Sequence, residues 1–245
     1  GYAEAAGSPD GFAVEVDQPI PVGGGLGGGS ADAGAVLRCL DRLNPRPLGQ
    51  AALLALAAGL GADVPFLTTE HPLALAWGRG ERMLALPPLP ARRATLAVFA
   101  QGVATADAFR VLAERRGPLL PRPIVWSPDR LATWDAVALV AMNDLEDAVL
   151  PNRHDVAELR RLFTTVAREL EATAGADGAP GARAPIALMT GSGATVYLLT
   201  PADGPGPVFD VVFEPDPDED DAPDDGLAIV ETETATHVAE VELSG

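Results

Sequence analysis

Pro21-Val22-Gly23-Gly24-Gly25-Leu26-Gly27-Gly28-Gly29-Ser30-Ala31-Asp32 decides how this chain is read, because six of the seven residues from 23 to 29 are glycine. A run so poor in side chains cannot pack a core, and its glycines are entropically costly to order. Its use is to bring backbone N–H groups close to an anion. A helix expected from Ser30 to about Leu43 carries Val36, Leu37, Leu40 and Leu43 at three-to-four spacing. That helix would aim its unpaired N–H groups and positive dipole end at the same place. A nucleotide phosphate suits all of this. A flexible linker is the plainer reading, but such linkers are longer, mixed with serine and set between domains. Leu26 instead gives this run a single apolar anchor.

Three phosphate-loop patterns compete for the segment. Gly23, Gly25 and Gly28 match G-x-G-x-x-G, but the dinucleotide fold also needs a following strand ending in an acid. Gly23 to Ser30 matches the P-loop except that Gly29 holds the lysine position, which removes the cation that reaches the terminal phosphates. The third pattern, P-x-x-x-G-L-G-S-S-A-A, is followed by Pro21, Gly25, Leu26, Gly27, Ser30 and Ala31, with Gly28 and Gly29 replacing small hydroxyl residues. It is the ATP loop of the GHMP kinases, and the chain resembles that family.

Further segments agree with this resemblance in order and spacing. Leu60-Gly61-Ala62-Asp63-Val64-Pro65-Phe66, Met142-Asn143-Asp144-Leu145-Glu146 and Met189-Thr190-Gly191-Ser192-Gly193-Ala194-Thr195-Val196 are similar to the L-G-A-D-V-P-F, N-D-L-E and G-S-G motifs of one branch. That branch phosphorylates the 2-hydroxyl of 4-diphosphocytidyl-2-C-methyl-D-erythritol in isoprenoid precursor biosynthesis. Gln101 to Thr105 with Ala108-Phe109 echoes its P-G-V-x-T-x-x-A-F stretch. The match runs from about residue 12 to 200. It implies an α+β, two-domain fold: a ribosomal-protein-S5-domain-2-like ATP-binding domain over 1–90 and a ferredoxin-like domain over 91–245. The implied cofactors are ATP and Mg²⁺. The implied acceptor is a small molecule, the cytidine-diphosphate-linked methylerythritol. A homoserine- or mevalonate-type GHMP kinase, and a catalytically dead nucleotide-binding protein, are the alternatives.

Composition agrees with a nucleotide enzyme outside the membrane. A net charge of −18 argues against nucleic acid or an anionic bilayer as partner, but not against a nucleotide whose phosphates meet local N–H groups and Mg²⁺. The longest apolar run, Ala51 to Leu60, is too short to cross a bilayer, and no signal peptide opens the sequence. The expected setting is cytoplasmic. All seventeen cations are arginine. The single cysteine, Cys39, falls on the apolar side of the first helix and reads as core, with no disulfide.

The remaining organisation is legible in outline. Phe12 to Ile20 alternates and suits a half-buried strand. Leu48 to Leu60 reads as a helix stopped by Gly61, and Leu73–Trp77 with Arg82–Leu86 as a hairpin around Gly78-Arg79-Gly80. Pro87-Pro88-Leu89-Pro90 marks the domain linker. Thr95 to Ala100 reads as a buried strand. Val156, Leu159, Leu162, Phe163, Val166 and Leu170 form a helical stripe opened by an Asp155/Glu158 capping pattern. Ala172 to Ala184 reads as a loop. Ile186–Met189 and Thr195–Leu199 read as strands meeting at Gly191-Ser192-Gly193. Val211–Phe213 and Ala228–Val230 are expected strands on either side of an acidic loop, Glu214 to Asp225, which holds eight carboxylates and is too charged to pack.

Phosphoryl transfer needs in-line positioning and charge stabilisation more than covalent chemistry. By resemblance, residues 21–31 bind ATP, Asp63 is the general base or orienter of the attacking hydroxyl, and Gly191, Ser192 and Gly193 lie near the phosphates. Ser30 is a possible Mg²⁺ ligand, or a plain N-cap. Without the family, Asp63 would be read as a cap of the helix after it. Asp144 and Glu146 read as helix-start and surface residues, and Asp32 as a first-turn acid facing the helix dipole. His71, His154 and His237 lack metal-ligand spacing. The family's kinases also carry an N-terminal P-A-K-[LI]-N strand whose lysine lies near the transferred phosphate. Only Gly1 to Ile20 precede the loop here and the chain has no lysine. The expectation is a fragment or mis-started version, with apolar surface and a strand edge left uncovered in the first domain.

Overall fold

Glycine punctuation and apolar spacing translate into two compact units in a computed structural model of the chain. It describes residues 1–7, 13–17, 20, 22–117, 127–174, 184–203, 226–239 and 241. The first unit comprises Gly1–Ile20, Gly27–Pro88 and Ala235–Gly245; the second comprises Pro21–Leu26 and Leu89–Thr234. The division between consecutive segments thus falls at Pro88/Leu89, but the first half of the glycine loop groups with the second unit.

In the first unit, α1 (Tyr2–Ala6), α2 (Gly28–Leu43), α3 (Gln50–Leu60) and α4 (Val64–Thr68) precede a hairpin of β1 (Ala74–Trp77) and β2 (Arg82–Ala85). The apolar stripe of α2 buries Leu37 against Leu53 and Ala57 of α3, Val64 of α4 and Tyr2 of α1. Tyr2 fixes α1 by donating its hydroxyl to Asp41 at 2.9 Å, and Asp41 also accepts from the Leu48 N–H at 2.8 Å. Burial pushes the Tyr2 phenol above its ordinary pKa. Gly61 follows the last residue of α3 and closes it with an N–H to Ala57.

The crossing of α2 and α4 depends on Gly34. A Cβ there would lie 2.5 Å from the Leu67 carbonyl oxygen and 3.0 Å from the Thr68 nitrogen. Gly34→Ala gains about 1 kcal/mol of helix propensity but forces two backbones apart, an overpacking cost of roughly 1–3 kcal/mol. The expected net loss is about 0–2 kcal/mol, lowering the melting temperature by up to about 8 °C, read by urea and thermal unfolding. A raised midpoint would mean the two helices do not cross this closely.

The alternating stretch before the loop does not form the expected strand. Ala13 to Asp17 belong to no ladder among the described residues; Val14 is 54% and Val16 49% exposed. Phe12, Gln18 and Pro19 lie outside the described residues. Alternation supplies a pleated face but no partner, and a lone strand is not stable. Cys39 is not core either: it is half-buried and free. With Val36, Leu40, Leu43 and residues 13–17 it lines an open cavity of about 460 Å³. The hairpin likewise has no third strand beside it among the described residues.

In the second unit, β3 (Arg92–Phe99) is central in an antiparallel sheet with β4 (Ile186–Met189), β5 (Val196–Pro201) and β6 (Leu227–Glu233), in the order β4-β5-β3-β6. Helices α5 (Thr105–Arg116), α6 (Trp134–Val140), α7 (Glu146–Val149) and α8 (His154–Ala174) complete it, with a 3₁₀ turn at Pro128–Leu131. The α8 stripe places Val156, Leu159 and Phe163 against Val196 and Leu198 of β5 and Met189 of β4, forming one core. Strand β6, the last in that order among the described residues, exposes Glu231 and Glu233, charges that discourage pairing with another sheet. Thr95 Oγ1 donates to Glu231 across the ladder at 2.7 Å.

Two local readings need correction. Helix α8 begins one residue before Asp155, whose carboxylate instead pairs with Arg153 at 2.6 Å, so the capping box is not formed. The same helix continues through Ala174, into the stretch expected to be a loop; residues 175–183 lie outside the described residues, as do Val211–Phe213 and the acidic stretch 214–225. No helix among the described residues is long and apolar enough to cross a membrane.

Candidate functional site

The glycine loop is held by its carbonyls. In the second unit the Gly23 carbonyl accepts from the Val103 N–H at 3.1 Å. The Gly24 carbonyl accepts from the Thr195 N–H and from Thr190 Oγ1, both at 3.2 Å. A trans peptide is planar, with its C=O and N–H pointing opposite ways. Turning the Gly23 and Gly24 carbonyls onto the protein therefore turns the Gly24 and Gly25 N–H groups away from it. None of the N–H groups of Gly23, Gly24, Gly25 and Leu26 meets a protein acceptor among the described residues.

The chain passes from Leu26 into the first unit, where Gly27 precedes the first turn of α2. The N–H groups of Gly27, Gly28, Gly29 and Ser30 are likewise without protein acceptors; the first bond is Ala31 N–H to the Gly27 carbonyl at 2.8 Å. Eight donors consecutive in the chain, Gly23 to Ser30, thus have no acceptor among the described residues. Val22 is exposed, and Pro21 lies outside the described residues.

Ser30 is not the N-cap. The helix starts two residues earlier than expected, since helical geometry is open to Gly28 and Gly29 once Gly27 has made the turn, so Ser30 is the third helical residue and makes no cap bond. For the same reason Asp32 falls in the second turn. The half-buried Ser30 hydroxyl has no protein partner among the described residues.

Asp63 occupies the N-cap position of α4 without acting as a cap. Its backbone is in the right-handed helical region (φ −90°, ψ −16°), not the extended one of a capping residue, and its side chain accepts no cap bond. The carboxylate is exposed and has no partner among the described residues. Its position comes from two sides: α4 is packed onto α2 at Gly34, and the Gly80 backbone of the hairpin turn abuts the Ala62 carbonyl.

The Gly191-Ser192-Gly193 turn joins β4 to β5 in the second unit and sits against Gly25. It is closed by Gly193 N–H to Thr190 O at 2.7 Å and Thr190 N–H to Thr195 O at 2.8 Å. Buried Ser192 shares a hydrogen bond with Thr105 Oγ1 at 2.8 Å.

The Asn143-to-Asp147 segment contributes what sequence reasoning missed. Glu146 is not a surface residue: its side chain is 17% exposed, pairs with Arg160 at 2.7 Å and accepts the Met189 N–H at 2.8 Å. Asp144 binds Arg116 at the end of α5, which holds its carboxyl below the ordinary range. Asn143 bonds the glycine turn itself, at Met189 O and Gly191 O. One signal was available: two acids and an amide within four residues at the start of a short helix are more polar groups than capping needs.

No group of three or more His, Cys, Asp or Glu side chains among the described residues could hold a metal ion. Taken separately, the unaccepted N–H groups of Gly23–Leu26 in the second unit and those of Gly27–Ser30 at the start of α2 in the first are each of the kind that phosphate oxygens accept from.

Residues 2–71 match the GHMP kinases N terminal domain. Over 184 residues the chain is 40% identical to 4-diphosphocytidyl-2-C-methyl-D-erythritol kinase of Rhizobium johnstonii, covering 75% of this chain and 54% of that protein. The enzyme of the same name from Acaryochloris marina is 36% identical over 204 residues, covering 77% and 60%. A crystal structure of 4-(cytidine 5'-diphospho)-2C-methyl-D-erythritol kinase aligns with a TM-score of 0.57 and 33% identity, over 83% of this chain and 66% of that one. The chain spans little more than half the length of these curated relatives.

Proposed function

Because the chain belongs to the GHMP kinases, with their α+β fold, we propose that its protein transfers the γ-phosphoryl group of ATP to the 2-hydroxyl of 4-diphosphocytidyl-2-C-methyl-D-erythritol. This is a step of isoprenoid precursor biosynthesis, in a cytoplasmic setting. The observation that carries the reading is that the eight N–H groups from Gly23 to Ser30 have no acceptor among the described residues. The names of the matched relatives support the acceptor. Residues 1–90 take the part of the ATP-binding domain and 91–245 that of the C-terminal kinase domain.

Residues 21–31 hold the phosphates, their N–H groups facing the charge that builds on the equatorial oxygens during transfer. Asp63 orients the acceptor hydroxyl and receives its proton as the new oxygen–phosphorus bond forms and the bond to the ADP oxygen breaks. An unengaged carboxylate suits this, since a capping Asp would have its oxygens already committed. Gly191, Ser192 and Gly193 support the loop from below. Mg²⁺, where it is bound with ATP, would supply charge neutralisation, and the Ser30 hydroxyl is the side-chain oxygen that would be offered to it.

The test is ATP-dependent phosphorylation of 4-diphosphocytidyl-2-C-methyl-D-erythritol by the full product of the gene, followed by ADP release and phosphorus NMR. Phosphate appearing on the 2-hydroxyl is the expected result. Transfer only to homoserine or mevalonate would reassign the acceptor. ATP binding without transfer to any of them would reduce the protein to a nucleotide binder.

A further inference from the structure

We infer that Asn143 is a positioning residue that sets the direction of the loop N–H groups through the glycine turn. This deepens the proposed ATP role of the loop and rests on it. Asn143 sits just before α7, half-buried. Its Nδ2 donates to Met189 O at 2.7 Å and to Gly191 O at 2.8 Å, while its Oδ1 accepts the Leu145 N–H at 3.0 Å. Both amide protons are therefore used, on carbonyls at either side of Thr190. No other side chain of similar shape offers two donors and an acceptor on one short stem.

Thr190, held between those two carbonyls, donates its hydroxyl to the Gly24 carbonyl, and the turn places the Thr195 N–H on the same oxygen. The Gly24 carbonyl shares its peptide plane with the Gly25 N–H. Displacing the turn rotates that plane and swings the Gly25 donor off its line. Asn143 thus acts on phosphate binding without touching phosphate. Glu146 braces the same strand from the Met189 N–H, but touches neither Met189 O nor Gly191 O.

Asn143→Asp keeps the shape, loses both donors and sets a carboxylate against two carbonyl oxygens. Expected at neutral pH is a KM for ATP raised about tenfold or more, from two hydrogen bonds lost, with kcat and the acceptor KM within about threefold. Protonating the new carboxyl returns one donor, so its KM for ATP should fall back toward the parent value as pH drops toward 5, a trend the parent lacks. Equal losses in every parameter, or no pH-dependent recovery, would overturn the inference. Should that variant fail to fold, Thr190→Val removes only the hydroxyl on the Gly24 carbonyl and should raise the ATP KM alone; an unchanged ATP KM would count against it. Amide hydrogen exchange on the nucleotide-free protein separates this inference from the functional one. Faster exchange at Thr195 in Asn143→Asp supports the positioning path even if the parent proves inactive, and unchanged exchange there overturns it even if the parent is a good kinase.

Discussion

Asp63→Asn should lower kcat by about 10²- to 10⁴-fold, the usual contribution of a positioned acid–base group, while ATP affinity stays within about threefold. The substitution is isosteric and removes only charge and basicity. Its structural cost should be small because the Asp63 side chain caps nothing and has no partner among the described residues. A negative charge at a helix start is favourable by a few tenths of a kcal/mol to 1 kcal/mol at the surface, and α4 is only five residues long. The melting temperature should therefore move by no more than a few degrees. This separates the two readings of the residue. A cap or brace would show a large stability loss with kcat and ATP affinity falling together; a group acting on the acceptor hydroxyl loses turnover alone. Asp63→Glu would refine the result, since it keeps the charge but displaces it along one more methylene.

How much of this was written in the sequence depends on whether a feature is local. Helix α2 and strands β4 and β5 were legible, because 3.6- and 2-residue periods and the glycines between them are properties of the segment itself. The start of α2 was misplaced by two residues because glycine's poor helix propensity argued against Gly28 and Gly29, whereas the turn at Gly27 already commits the chain to helical geometry. Ala13 to Asp17 shows the opposite failure: its alternation is genuine, but a strand is defined by a neighbour, and none accompanies it among the described residues. Glu146 and Asn143 stood out only as part of a motif, and what they bind was invisible for a related reason. Their partners lie 14 to 48 residues away, at Arg160, Met189 and Gly191, and nothing in the residues 143–147 names them. Asp63 was found only through its motif. What the motif could not show is that the side chain makes no cap bond and has no partner among the described residues, which is what leaves it free for the role proposed above.

Gly25→Ala should cost ATP affinity about 10²-fold or more, comparable with losing preorganised donors from an oxyanion-type site. Two independent penalties meet at this residue. Its φ of +75° is left-handed, which costs an alanine roughly 1–2 kcal/mol. A Cβ would also be driven into the Thr190 carbonyl, with Thr190 Oγ1 at 2.8 Å and the Gly193 nitrogen at 2.9 Å. All three atoms belong to the turn that grips the Gly24 carbonyl, so the loop can relieve the clash only by lifting off. Lifting releases the Gly24 carbonyl and scatters the N–H directions that the carbonyl contacts had fixed. The helix α2 and its core in the first unit are untouched, so thermal stability should fall far less than affinity does. Gly29→Ala is the matched control: nothing lies within 4 Å of a new Cβ there and its φ is not positive. That variant should fold as the parent does, and any loss of ATP affinity in it reports the ligand's own proximity. If Gly25→Ala bound ATP as well as the parent does, the loop would not be the phosphate site, whatever its glycines suggest.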